Sequence, residues 1–232
     1  MKKLILLAFA LLALQSCSVT NTFTFHKDAT ISTDMAVDMS EMLAMQAKAK
    51  QGENSLKNVN MPEFPKEWQS VYDFQKTVEK DSIPADKAEL LKRAAIKGLF
   101  KDNKEVGFQV RFDHFAPEEY ASITAAIDRG TRNNNPLSIS AFKWDGKELR
   151  INIAALEQNT DDEEQAECVA QMKKMFNIDI NNTLVFEGKI KKIKGKHPYI
   201  EKLDAHTVKI DLKAADGKKK KRRDKEIVIV IK

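Results

Sequence analysis

Several residue types and motifs on which enzymes depend are scarce or missing in this sequence. Only two cysteines and eight glycines occur among its 232 residues. There is no His-Glu-x-x-His or Cys-x-x-Cys spacing for a metal, no Gly-x-Ser-x-Gly nucleophile turn and no glycine-rich loop to hold a phosphate. The four histidines, His26, His114, His197 and His206, are widely separated along the chain. We therefore expect no metal site, no cofactor and no enzymatic activity.

Long apolar runs are also missing, with one exception at the N-terminus. Residues 4–14 are eleven consecutive apolar residues, preceded by Lys2 and Lys3 and followed by Gln15, Ser16 and Cys17. As a helix this run is about 16 Å long, roughly half of the hydrocarbon core of a bilayer, so it does not predict a membrane span. A positive start, a short apolar run and small residues at its end are typical of a secretory signal peptide.

The tetrapeptide Leu14-Gln15-Ser16-Cys17 resembles the lipobox of bacterial lipoproteins. This resemblance implies that residues 1–16 are removed, that Cys17 is acylated by chains such as palmitate, and that residues 17–232 remain as one domain on the membrane of the cell envelope. Ser18 in place of Asp after the cysteine implies, by the same resemblance, delivery to the outer membrane. The alternative is an ordinary signal peptide in which the cysteine is incidental.

The second cysteine, Cys168, follows a capping box formed by Thr160 and Glu163, and it lies on the apolar face of the helix that this box predicts. We expect a shielded, unreactive thiol rather than a nucleophile. If Cys17 carries lipid, Cys168 has no partner for a disulfide within the mature chain. His114, beside Asp113 at the end of a predicted strand, is likewise interpreted as a structural histidine rather than a metal ligand.

Charge of one sign is concentrated in one run near the C-terminus. The formal net charge of +5 is small, and it predicts no nucleic-acid partner. Seven of the eight residues 218–225 are basic: Lys218, Lys219, Lys220, Lys221, Arg222, Arg223 and Lys225. We expect this run to be the exposed tip of a hairpin between strands at 208–212 and 227–231. It either protects the apolar last strand from aggregation or contacts anionic lipid or an acidic envelope polymer.

The hydrophobic periodicity predicts an α+β fold, with a mainly antiparallel β-sheet of hairpins and several helices packed on one face. Strands are predicted at 18–26, 31–38, 106–112, 139–144 and 147–153, with the turn of the last pair at Asp145-Gly146. A loop is expected around 51–66, and a helix is expected from Pro84 to Leu99. A long strand is predicted over 184–193, bent at Gly188.

The hairpin at 19–45 that leads into a helix, taken with the strands between Leu184 and Leu212, resembles the LppM-like domain of bacterial lipoproteins. The resemblance implies no catalytic residues. Two functions remain open. One is a structural or interaction role at the envelope. The other is a binding module with an apolar pocket for a lipid or another hydrophobic molecule, and the candidate wall residues are Phe108, Phe112, Tyr120 and Phe186.

Overall fold

The structure is a computed structural model, and it describes residues 18–49, 62–78, 85–119, 141–157, 179–212 and 223–232. The strands are β1 (Ser18–Phe25), β2 (Ile31–Asp38), β3 (Gln69–Ser70), β4 (Ala94–Lys101), β5 (Lys104–Phe115), β6 (Phe142–Trp144), β7 (Glu148–Asn152), β8 (Asp179–Phe186), β9 (Ile190–Lys194), β10 (Ile200–Lys202), β11 (Thr207–Ile210) and β12 (Glu226–Ile231). The helices are α1 (Ser40–Ala49), α2 (Val71–Val78), α3 (Ala85–Arg93) and α4 (Ile153–Glu157).

The strands form two sheets. The larger sheet has the order β10-β11-β8-β1-β2-β5-β4-β3, and the smaller sheet has the order β6-β7-β12-β9. Every neighbouring pair is antiparallel except β1 and β8, which run parallel. The prediction of a mainly antiparallel sheet is therefore confirmed, and so is the β1–β2 hairpin near the N-terminus.

The core lies between the two sheets. Phe23 and Phe25 on β1 point to the inner face of the larger sheet and are each 1% exposed. Their rings meet the smaller sheet edge-on, with 5.3 Å between the centroids of Phe23 and Phe142 and 5.4 Å between those of Phe25 and Trp144. Burial of one such side chain contributes about 1.5–3 kcal/mol, so these contacts hold the sheets together.

The helices have a smaller part in the core than the sequence predicts. Helices α2 and α3 contribute Phe74 and Leu91 to the core, beside Ile96 on β4. The part of the inner face around β1, however, is covered by the smaller sheet, whose Ile227 and Ile229 are fully buried. The predicted layer of several helices on one face is not confirmed, because a second sheet buries the apolar side chains there.

The helix expected to reach Leu99 ends at Arg93, so this part of the prediction is wrong. Residues from Ala94 form β4, which pairs along its length with β5. The two strands are joined by Asp102 and Asn103, whose φ angles of 50° and 60° suit a tight hairpin turn. Ala94 and Ile96 are buried, while Lys97 points to the other face. This alternation is hard to see in the sequence, because alanine and leucine occur on both faces of the strand.

The long strand predicted over 184–193 is also wrong, because Gly188 separates two strands of different sheets. Strand β8 ends at Phe186 in the larger sheet, and β9 begins at Ile190 in the smaller one. A Cβ atom on Gly188 would lie 2.2 Å from Cγ2 of Ile231 and 2.7 Å from the carbonyl oxygen of Lys232. Glycine therefore lets the chain cross between the sheets against the end of β12.

The hairpin predicted at Asp145-Gly146 is confirmed as β6–β7. Gly146 has a φ of 88°. The Asp145 carboxylate oxygen Oδ1 accepts hydrogen bonds from the backbone N–H groups of Lys147 at 2.9 Å and Glu148 at 2.6 Å. These two bonds lower the pKa of Asp145. The turn is thus fixed locally by its own two residues, which explains why the sequence predicts it.

Candidate functional site

The predicted lipidation site directly precedes the first described strand. Cys17 and the apolar run 4–14 lie outside the described residues, so lipidation stays a prediction. Ser18 begins β1 in the middle of the larger sheet, opposite Asp38 on β2 and Asp179 on β8. The point at which Cys17 joins the domain is therefore fixed. It lies at the end of the sheet where β1 begins, here called the Ser18 end.

The strand that precedes the basic run is directed towards the same end. Ile210, the last residue of β11, pairs with Asn182 on β8, and Asn182 pairs with Asn21 on β1. Because β8 is the only strand between them and strands are about 4.8 Å apart, Ile210 lies about 10 Å across the sheet from Asn21. Strand β11 runs opposite to β1, so the chain continues past Ile210 towards the Ser18 end. Lys218 to Arg222 lie outside the described residues.

The basic run is not the tip of a hairpin, and this prediction is wrong. Strand β11 is paired with β10 and β8, while β12 is paired with β7 and β9 in the other sheet. Each strand has a partner on both sides, so the two strands that flank the run do not pair with each other. Of its basic residues, Arg223 and Lys225 are described, and both are exposed.

Asp224, the acidic residue within the run, fixes its C-terminal end to the smaller sheet. Its carboxylate oxygen Oδ2 accepts a hydrogen bond from the backbone N–H of Lys196 at 2.8 Å. In return, the backbone N–H of Asp224 donates to the carbonyl oxygen of Lys196 at 3.0 Å. These two bonds hold Arg223 and Lys225 beside the strand that precedes Lys196.

That strand carries a second basic cluster, which sequence reasoning missed. Five of the residues 189–196 are lysines and all five are exposed: Lys189, Lys191, Lys192, Lys194 and Lys196. Together with Arg223 and Lys225 they are called the basic edge below. Strand β9 is an edge strand, where lysines also oppose strand addition. Five lysines within eight residues are a signal that the sequence contains, and the apolar residues between them indicate only a strand.

A cleft of about 440 Å³ opens beside the link between Lys196 and Asp224. Its lining includes Lys196, Lys202 and the mainly buried His197. The His197 ring nitrogen Nδ1 accepts a hydrogen bond of 3.3 Å from the backbone N–H of Tyr199. Two lysines at the rim of one cleft favour an anionic group there.

The predicted walls of an apolar pocket are distributed through the core. Phe112 and Phe186 are 2% and 1% exposed, and Phe186 stacks on Phe25. Phe108 is half-buried and stacks on Phe64 with 4.9 Å between ring centroids. Tyr120 lies outside the described residues. The clefts described here have other linings, so the apolar pocket stays a prediction.

At the opposite end of β1 from Ser18, a polar network joins residues on β2 and β5 to the residues that directly follow β1 and β8. His26 is 8% exposed, and its Nδ1 and Nε2 lie 2.8 Å from Oε1 of Glu187 and 2.8 Å from Oγ of Ser32. The Ser32 hydroxyl donates to Oδ1 of Asp113 at 2.9 Å and accepts the backbone N–H of His114 at 3.0 Å. The two imidazole rings stack at 3.9 Å.

Glu187, His26 and Ser32 are connected in the order of a carboxylate–histidine–serine triad. The Ser32 hydroxyl, however, donates its hydrogen bond to Asp113. An ionised Asp113 only accepts, so the single hydroxyl proton of Ser32 goes to Asp113. The remaining lone pairs then accept from His114 N–H and from Nε2 of His26. The Ser32 hydroxyl proton is therefore directed to Asp113 and not to His26.

The network lowers the pKa of two carboxyl groups. Hydrogen bonds from the side chains of His114 and then Ser32 lower the pKa of Asp113. The His26 ring and then the backbone N–H of Lys27 lower the pKa of Glu187. His114 has the local, structural surroundings that the sequence predicts, with Nδ1 at 2.9 Å from Asp113.

Two negative findings apply to the described parts of the chain alone. No group of three or more His, Cys, Asp or Glu side chains within them is arranged to hold a metal ion. Among the same residues, no helix is both long and apolar enough to cross a bilayer.

Comparisons with known proteins give one structural likeness. No family model matches the sequence, and no curated protein matches it. The chain is similar to the NMR structure of the folded domain of LppM from Mycobacterium tuberculosis, with a TM-score of 0.41 and 11% identity over 94% of this chain and 90% of that domain. The LppM-like resemblance and the lipobox both stay predictions.

Proposed function

We propose that this protein is a lipid-anchored, non-enzymatic protein of the cell envelope that interacts with an anionic membrane surface. Acyl chains on Cys17 would hold it to the membrane, and the basic run would contact phosphate-bearing headgroups. The observation that carries the proposal is the register of β11, β8 and β1. In that register Ile210 lies about 10 Å across the sheet from Asn21, and β11 is directed towards the end at which Cys17 precedes β1.

The attachment leaves no linker between lipid and domain. Consecutive Cα atoms are about 3.8 Å apart, and β1 already begins at Ser18. Acyl chains on Cys17 would therefore bring the Ser18 end of the sheet against the headgroups. Lys218 follows Ile210 by eight residues, roughly 26 Å of extended chain, which suffices for the basic run to reach the same surface.

The energies of the two contacts complement each other. Each buried CH₂ of an acyl chain contributes about 0.8 kcal/mol, and stable anchoring takes two chains or one chain with a basic patch. Each basic residue near an anionic surface contributes about 1 kcal/mol at moderate ionic strength. The basic edge and the cleft beside Lys196 extend this positive surface along the smaller sheet.

Delivery to the outer membrane is the finer part of the proposal. It rests on Ser18, which follows Cys17 as it does in lipoproteins sent to that membrane. Separation of inner and outer membranes by density, followed by detection of the protein in each fraction, tests this step. Recovery with the inner membrane would contradict it and would leave the anchor itself unaffected.

Replacement of Cys17 tests the anchor. The Cys17→Ala variant should move from the membrane to the soluble fraction and should no longer incorporate labelled palmitate. Cys168→Ala is the matched control, because it removes the other cysteine and should leave both measurements unchanged. Membrane recovery and labelling of Cys17→Ala equal to those of the parent protein would show that the anchor has been misassigned.

A further inference from the structure

The outer face of the larger sheet, turned away from the smaller sheet, carries two parallel rows of polar side chains. In the first row Thr20, Ala36, Gln109 and Lys97 lie opposite one another on β1, β2, β5 and β4. The second row crosses the same four strands and consists of Thr22, Asp34, Arg111 and Ala95. The small side chain of Ala36 in the middle leaves a depression between taller neighbours.

Trp68 forms a wall at one side of this depression. It directly precedes β3, whose pairing with β4 positions it at the edge of the two rows. Nζ of Lys97 lies 4.8 Å from the centre of the indole ring, and the guanidinium carbon of Arg111 lies 4.6 Å from it. The tryptophan is half-buried, and the depression forms a cleft of about 280 Å³.

The polar groups of the cleft have spare hydrogen-bonding capacity. Nε of Arg111 donates to Oδ1 of Asp34 at 2.7 Å, which leaves the two terminal nitrogens of the guanidinium available. Within the described residues Lys97 has no ion-pair partner, and its ammonium group lies over the Trp68 ring. Two cations against one carboxylate give the cleft a positive balance, and Gln109 adds a carboxamide.

We propose that this cleft binds a hexuronate residue of an acidic polysaccharide. The threonine hydroxyls and the Gln109 carboxamide suit the hydroxyl groups of a sugar ring, which would lie beside the Trp68 indole. Lys97 and Arg111 would bind the carboxylate, a charge-assisted contact that a neutral sugar lacks. The basic run contributes no residue to this cleft, so the sugar site can be tested independently of the membrane contact.

Calorimetric titration of the purified full-length chain tests the site with four probes: trigalacturonate, an alginate trisaccharide, galactotriose and inorganic phosphate. We expect saturable binding of at least one acidic trisaccharide, at least about tenfold tighter than binding of galactotriose or phosphate. Fluorescence should respond through Trp68, since Trp144 is 7% exposed and its Nε1–H is bonded to the carbonyl oxygen of His26.

Variants assign the binding to this cleft. Lys97→Met should weaken binding of the acidic sugar about tenfold or more, and Trp68→Ala should abolish the fluorescence response. Trp68→Phe keeps an aromatic ring and should retain part of the affinity if the alanine variant does not fold. Lys104→Met, at the exposed start of β5, is the matched control and should bind normally. The proposal is wrong if neither acidic trisaccharide binds, if phosphate or the neutral sugar competes equally, or if binding survives both Lys97→Met and Trp68→Phe unchanged.

Discussion

The side-chain amide of Asn21 donates a hydrogen bond of 2.8 Å to Oδ1 of Asn182 in the interior of the protein. Asn21 is fully buried and Asn182 is 8% exposed. The pair connects β1 with β8, the parallel neighbours of the larger sheet, and the two residues also face each other in the strand register. Oδ1 of Asn21 has no hydrogen-bond partner among the described residues. A buried amide pair of this kind specifies one register, because any slip would separate the two side chains.

Replacement of one asparagine should therefore cost more than replacement of both. Asn21→Val leaves the Asn182 amide buried without its partner, and we expect a loss of about 1–3 kcal/mol in the free energy of unfolding. The double variant Asn21→Val/Asn182→Val should recover most of that loss, since it removes both polar groups. Urea unfolding of the single and double variants measures the coupling. Strictly additive losses would show that the amide pair does not specify the pairing of β1 and β8.

Removal of a glycine from one tight hairpin turn should destabilise the protein, whereas introduction of a glycine into the other should have little effect. Gly146→Ala forces a side chain into a φ of 88° and places its Cβ 2.6 Å from the carbonyl oxygen of Lys27. We expect a loss of about 1–2 kcal/mol or more in the free energy of unfolding. Asn103→Gly, at a φ of 60° in an exposed turn, relieves strain and should change stability by less than about 0.5 kcal/mol. Equal midpoints of thermal unfolding for the two variants would contradict this assignment of the turns.

Acidification should weaken the network at His26. The folded-state pKa values of Asp113 and Glu187 are lowered, so their stabilising contribution is fully present above the pKa of the unfolded chain, about 4. The contribution is lost as the pH falls through the lower folded-state values. Glu187→Gln should therefore be less stable than the parent at pH 7 by about 1 kcal/mol or less, because the carboxylate is half-exposed. The difference should shrink towards pH 3.

Urea midpoints between pH 3 and pH 7 measure this effect. Glu67→Gln is the matched control, because Glu67 is exposed and its side chain has no hydrogen bond within the described residues. A constant difference between Glu187→Gln and the parent at every pH would remove His26–Glu187 from the acid response.

The basic run should bind anionic vesicles in a salt-dependent way. With the Cys17→Ala variant, vesicles that contain phosphatidylglycerol should retain the protein in a flotation assay, and neutral vesicles should not. Replacement of Lys220, Lys221 and Arg222 by Ser should lower the retention about tenfold or more, at roughly 1 kcal/mol for each residue near the surface. The effect should vanish in high salt, where the Debye length is only about 3 Å at 1 M.

The control for this assay takes three lysines from the other end of β1. Lys27, Lys143 and Lys147 are exposed. The indole N–H of Trp144 donates to the carbonyl oxygen of His26, so β6 and the turn that follows it lie near that end. Replacement of these three lysines by Ser removes the same charge and should leave retention unchanged. Equal losses from both triple variants would mean that net charge, and not the Ser18 end, decides the binding.

Local patterns in the sequence determined the elements whose stability is local. The β1–β2 alternation, the Asp145-Gly146 turn and the start of α3 after Pro84 depend on neighbouring residues, and the structure has each of them. The identity of Phe112 and Phe186 as apolar strand residues was equally readable. Their place in the core was not, since a pocket wall and a core residue have the same periodicity.

Long-range pairing decided the rest. Residues 94–99 have a helical composition, yet pairing with β5 makes them a strand, because a partner along the whole length outweighs a weak local preference. The strands around the basic run looked like a hairpin, but both sides of each were already taken by other strands.

The sequence by itself determined which residues carry the predicted lipidation motif and the positive charge. Only the tertiary structure decided that β11 runs towards the end of the sheet at which Ser18 begins β1, because the parallel pairing of β1 and β8 joins segments 161 residues apart, as at Asn21 and Asn182. The cleft at Trp68 has the same origin. Its lining includes residues of four strands. No spacing along the chain indicates that Thr20, Gln109 and Lys97 share one row.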